Sequence, residues 1–430
     1  MLRRFCVHAT LVSALLLAGC TRAAPPPAPT TASPPGSDPG FVITNATIFD
    51  GERFRTGNVH VRGATIAGIA SAIPSGARVI DGTGHTLLPG LIDGHAHVGD
   101  TDAHLSRFFT FGVSTVIDLF GPTDFLVRHR ASDLAPEGLT RASLFGAGTL
   151  ATAPKGHGTE YGVPIPTLER PDEARAFVSA RKAEGSDFLK IVFDTSPADV
   201  GGQTSAMPTL SLETVRALVA AAHENGLVAT VHTGGCDDIR SIVATGVDII
   251  DHGCAMKEGD DLPKLLAAKH VYFNPTLAVQ LRPCGMDYWI PMVADAELAA
   301  RLTEEERARL GKDRRDHDTT CSGGRLRLVG EAAKAGVKLI AGPDSPNRRI
   351  PVGASLLAEI DLLQQAGATV EQSLAAATSH PADAYGLGDR GRIAAGKRAD
   401  LLLVEGDVRA NPRALWHTRR VWKAGVSASK

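Results

Sequence analysis

The stretch that decides the fold is Leu88-Pro89-Gly90-Leu91-Ile92-Asp93-Gly94-His95-Ala96-His97. A short apolar run ends in two imidazoles placed two residues apart. In an extended strand, positions i and i+2 project from the same face, so His95 and His97 can reach one metal ion. A bare His-x-His pair has little diagnostic force. Its weight here comes from its place at the end of an apolar strand and from similar strand ends downstream.

Outward from that stretch, residues 89–387 alternate short apolar runs with Ala-rich amphipathic segments, the pattern of βαβ units around a parallel sheet. Eight strands are expected: Leu91–Ile92, Thr115–Asp118, Ser143–Phe145, Phe188–Val192, Val228–His232, Ile249–His252, Val271–Phe273 and Lys338–Ala341. Eight such units define an α/β fold of the (β/α)8 TIM-barrel type. The flanks, 41–88 and 388–430, instead carry short alternating segments such as Val59-His60-Val61-Arg62 and Ala399–Val404, broken by Gly and Pro. They are expected to pair into one small β-domain. A charged helical stretch, Asp295–Arg315, falls between strands seven and eight as a lid or a peripheral insertion.

The 430 residues are 43% hydrophobic and 21% charged, with a net charge of -2. These values exclude a disordered chain and remove the electrostatic case for nucleic acid as partner. At the N-terminus, Arg3 and Arg4 precede the apolar run Leu11–Leu17, too short to span a bilayer and typical of a signal peptide, residues 1–20. Its end, Leu17-Ala18-Gly19-Cys20, resembles the lipobox of bacterial lipoproteins, which makes Cys20 the acylation site. Residues 21–40 are proline-rich and read as a stiff tether. The expectation is an exported, membrane-anchored lipoprotein facing the periplasm or the cell exterior. There Cys236, Cys254, Cys284 and Cys321 are free to form disulfides, with three full pairings open.

Lys190 lies inside Phe188-Leu189-Lys190-Ile191-Val192, where a lone ammonium costs several kcal/mol unless paired or modified. A salt bridge to Asp194 and a side chain reaching the barrel mouth are the plainer readings. His232, His252 and Asp344 each close an apolar strand, as catalytic residues of barrel enzymes do.

With these residues in place, the chain resembles the amidohydrolase superfamily from Ile43 to about Lys423. The resemblance is carried by the entry segment Leu88–His97 and the exit segment Gly391-Arg392-Ile393-Ala394-Ala395-Gly396-Lys397-Arg398-Ala399-Asp400-Leu401. It implies a TIM barrel with a β-sandwich built from the two chain ends. It also implies two divalent ions, with zinc suited to the donors. His95, His97 and Asp344 would hold one, His232 and His252 the other, and a carboxylated Lys190 would bridge them.

Gly156-His157-Gly158 resembles the Gly-His-Gly loop of the lysine-bridged dipeptidases of the prolidase-like group, which makes His157 a substrate-contacting, catalytic candidate. The chain departs from that group after His232, where Thr233-Gly234 replaces an Ala-Tyr whose tyrosine helps hold the substrate carboxylate.

The function expected is hydrolysis of an amide-like C–N bond, in a dipeptide or N-acyl amino acid, with Asp344 as general base toward a metal-activated water. The alternatives are a mononuclear cyclic-amide hydrolase or deaminase of the same fold, and a non-catalytic binding lipoprotein. The expected partner is a small-molecule substrate, with membrane contact only through the lipid anchor and a homo-oligomer left open.

Overall fold

The computed structural model describes residues 40–427, apart from 197, 201–202, 206 and 311–315. The leader, Cys20 and the tether as far as residue 39 lie outside the described residues.

Parallel strands Leu91–Ala96, Val113–Asp118 and Ser143–Gly146 pair in that order. Phe188–Val192, Val228–His232, Ile249–Asp251 and Tyr272–Asn274 form a second parallel set. Single bridging pairs join them. Ala151 pairs with Ile191, and Phe273 with Leu339. The circuit closes where Gly94 N donates to Ala341 O at 2.9 Å and Asp344 N to His95 O at 3.0 Å. The parallel segments thus link edge to edge in a closed ring. Strand Phe188–Val192 is buried at every position, which is why it reads as an unbroken apolar run around Lys190.

Helices return the chain between strands. Leu212–Glu224 shows why: Ser211 Oγ accepts from Thr214 N at 3.1 Å and caps the first turn. Val215, Leu218, Val219 and Ala222 then fall on one buried stripe at helical spacing. Gly226, at φ 68°, turns the chain into the next strand.

Two further sheets flank the ring. One runs in the order Thr65–Ala70, Asn58–Arg62, Phe41–Thr44, Arg78–Asp81. The other runs Val426–Ser427, Thr418–Lys423, Leu401–Glu405, His85–Pro89, Thr47–Phe49, Phe54–Arg55. They share a core of Phe41, Ile43, Val59, Val61, Ile66, Leu401, Leu403 and Trp422. Strand alternation sends Leu402 and Val404 the other way, into the ring's own core.

Several expectations need correction. Lys338–Ala341 makes no extended ladder: Leu339 forms a single bridge to Phe273 before the chain bends toward Asp344. The sixth strand stops at Asp251, because His252 adopts φ 69°. The seventh is Tyr272–Asn274, one residue later than expected.

Asp295–Arg315 is broken into Ala296–Arg301 and Glu304–Leu310, with 311–315 outside the described residues. Leu298, Leu302 and Leu310 are buried in the ring's core, and Arg301 bonds Trp416 O, so this segment packs as a peripheral insertion. The cysteines pair as Cys236–Cys254 and Cys284–Cys321. Among the described residues, no helix is long and apolar enough to cross a membrane.

Candidate metal centre

The ends of the parallel strands bring the expected residues together. His95, His252 and Asp344 each place a ligand atom within 4.8 Å of the others. Asp344 Oδ1 lies 3.0 Å from His97 Nε2 and 3.7 Å from His95 Nε2, yet is buried without a hydrogen-bond partner. Two imidazole nitrogens thus converge on one orphaned carboxylate oxygen, the geometry of donors around a shared ion. Close backbone approach makes this possible: a Cβ at Gly342 would fall 2.6 Å from His95 N. His95, His252 and Asp344 are all at most 8% exposed.

His252 also packs against His232, their ring centroids 4.4 Å apart, and His157 packs on His232 at 4.7 Å with the rings tilted by 30°. His157 Nδ1 is 2.6 Å from Glu160 Oε1. Burial pushes His232 down to about 4. Burial likewise lowers His252, and burial with the nearby Lys190 charge lowers His95. These imidazoles are therefore neutral near pH 7, the state a metal ligand requires. Burial would raise Asp344, but His95, His97 and His252 hold it well below the usual carboxylate range. Burial opposes protonation of His97, but the close approach and charge of Asp344, with the charge of Asp118, together move it up. Neutral His95 and His252 beside the ionised Asp344 fit a divalent cation.

Lys190 is met differently from either plain reading. Its Nζ lies 2.5 Å from Asp251 Oδ2, while Asp194 pairs instead with His232. Its burial is thereby satisfied by a carboxylate and does not by itself demand modification.

Asp251 was not singled out by the sequence reasoning, although it is fully buried, accepts from Thr230 Oγ1 at 2.5 Å and sits 3.3 Å from His95 Nδ1. The signal was present: a charged residue inside Ile249-Ile250-Asp251, the same anomaly that flagged Lys190. Thr276 was also missed. Its Oγ1 is 2.8 Å from His252 Nδ1, and nothing in the local sequence marks it.

Asp194 explains the departure at position 234. A Cβ there would fall 1.8 Å from Asp194 Oδ1, so Gly234 leaves the space in which that carboxylate approaches His232. Asp194 and His157 also line a small cleft with Val192, Met207 and Pro208.

A ring of parallel strands gathers His, His and Asp at their ends as a candidate metal site, and comparison with known proteins points to a hydrolase. The chain belongs to the amidohydrolase family, whose model matches residues 86–427. It is similar to an uncharacterized protein of Mycobacterium tuberculosis, 26% identical over 352 residues, 78% of this chain and 83% of the relative. Among solved structures it is similar to a candidate prolidase from Bifidobacterium longum, with a TM-score of 0.70 and 25% identity, covering 91% of this chain and 94% of that one. A Xaa-Pro dipeptidase with methionine bound in its active site has the same fold, with a TM-score of 0.71 and 22% identity, covering 91% and 100%.

Proposed function

We propose that the protein hydrolyses an amide-like C–N bond in a dipeptide or N-acyl amino acid. In this reading the ring is the family's (β/α)8 barrel, spanning 89–387, and the paired outer sheets are its β-sandwich. The observation that carries the proposal is the convergence of His95 and His97 on the orphaned Oδ1 of Asp344, beside His252.

His95, His97 and Asp344 would hold one divalent ion. His232 and His252 would hold a second, with Lys190 carboxylated on Nζ as the bridge. Zinc suits these donors, and such ions supply Lewis acidity and an activated water. Asp344 accepts the proton of the attacking water and returns it to the leaving nitrogen. His157, packed against His232 at the cleft, donates to the developing oxyanion of the substrate carbonyl.

A substrate carrying a free carboxylate is supported by Arg325. Its guanidinium donates to Gly253 O at 3.0 Å, one residue beyond His252, and to Gln280 Oε1. Among the described residues it makes no ion pair with a carboxylate, and burial lowers its pKa. A half-buried cation without a carboxylate partner is a natural anchor for a substrate carboxylate.

The pairing of Lys190 with Asp251 favours a second reading, a mononuclear cyclic-amide hydrolase or deaminase. Metal analysis of the purified chain, grown with zinc and bicarbonate, decides between them. About two equivalents per chain, falling in Lys190→Ala, with turnover of dipeptides or N-acyl amino acids, supports the first. One equivalent, unchanged in the variant, supports the second. Absence of both metal and turnover overturns the hydrolase reading. We further propose export and acylation at Cys20, which labelling with a radioactive fatty acid tests against Cys20→Ser.

A further inference from the structure

Thr276 follows the seventh strand with φ 49°, a left-handed conformation that is a rare outlier for a β-branched residue. Strain of this kind persists only where the surroundings over-determine it. Here they do. Glu359, fully buried on helix Ala354–Gln365, accepts Leu277 N through Oε1 and Ala278 N through Oε2, both at 2.7 Å. The hydroxyl of Tyr288 donates to Ala278 O just beyond. The two residues after Thr276 are therefore clamped from a helix far away in sequence. The strained turn carries the Thr276 hydroxyl to 2.8 Å from His252 Nδ1.

We infer that Glu359 and Thr276 form a positioning unit for His252, an inference that rests on the reading of His252 as a metal ligand. The Glu359 carboxylate holds the turn. The turn presents Thr276 Oγ1 as acceptor for His252 Nδ1–H, which leaves Nε2 unprotonated and available as the ligand atom. A ligand imidazole held through its other ring nitrogen is fixed in both tautomer and orientation. Thr276 is fully buried and contacts no candidate ligand other than His252 among its hydrogen bonds, so the strain has no other evident function.

The test is metal affinity of the full chain by chelator competition, read beside the visible spectrum of the cobalt-substituted protein and the thermal midpoint. Thr276→Val keeps side-chain shape and removes the acceptor. Affinity is expected to fall about 10- to 100-fold, with an altered cobalt spectrum and an unchanged thermal midpoint. Thr276→Ser, which restores the hydroxyl, is expected within about three-fold of the natural chain. Glu359→Gln offers one carbonyl oxygen to two N–H groups and is expected to weaken binding in the same direction. His252→Asn separates the two ideas. If it loses metal while Thr276→Val binds normally, the positioning role is wrong and the site reading stands. If His252→Asn itself binds metal as the natural chain does, both fall.

Discussion

Asp194 Oδ2 lies 3.5 Å from His232 Nε2, in space that only a glycine at position 234 leaves open. The carboxylate is otherwise anchored by Ser196 N, which donates to Oδ1 at 2.8 Å. Burial raises the Asp194 pKa, but His232 and the hydrogen bonds from Ser196 together outweigh it and the net shift is downward.

Gly234→Ala should therefore push Asp194 off His232. The expected result is a loss of about ten-fold in metal affinity or kcat/KM, matched by Asp194→Asn. Steady-state kinetics with metal titration checks it, and a Gly234→Ala enzyme indistinguishable from the natural one would show that the contact is idle.

Asp344→Asn keeps a ligand oxygen but loses the proton acceptor. Metal content should stay above half of normal while kcat drops about 100- to 10,000-fold. Elemental analysis beside turnover measures both, and near-normal turnover would remove Asp344 as the base.

Arg325→Met tests the carboxylate anchor. KM for a substrate with a free carboxylate should rise about 10- to 100-fold, the worth of a charged hydrogen bond, with kcat within about three-fold. The same variant should leave KM for the corresponding amide-capped substrate unchanged. An equal rise for both substrates would place Arg325 in packing alone.

Acid stability turns on Asp133, away from the metal centre. Its carboxylate meets Lys423 Nζ at 2.7 Å and Arg398 Nη1 at 2.9 Å. Burial opposes ionisation, but Lys423 and Arg398 prevail and hold the group down at about 2, against 3.8 unperturbed. A carboxyl depressed on folding stabilises above its unfolded value and loses that contribution as pH falls through the folded one. Asp133→Asn, which strands the buried Lys423 ammonium, should cost about 3 kcal/mol at pH 7. The gap between the two proteins should close between about pH 4 and pH 2, as read by denaturant unfolding. A pH-independent gap would mean that shape, not charge, is at work.

Much of this site was readable because strand periodicity does the geometry: His95 and His97 share a face by spacing alone, and His232 sits at the end of its apolar run. The missing parts depend on neighbours distant in the chain. Asp194 reaches His232 because Val192 pairs with His232 across two parallel strands, a register no local pattern encodes. Thr276 depends on a helix eighty residues downstream for its conformation. The Lys338–Ala341 run has the composition of a strand, but the close approach at Gly342 and the turn at Asp344 leave it a single bridge. The disulfide partners were equally beyond local reading, since cysteine spacing does not reveal which loops meet.

The strand Leu401–Glu405 has a consequence for biosynthesis. It pairs with His85–Pro89, and its alternate side chains finish two separate cores. A nascent chain released before residue 401 lacks the wedge that both cores require. Native closure therefore waits until residues 401–405 have been made, and any partner that holds the chain open before that point works on an unfinished molecule.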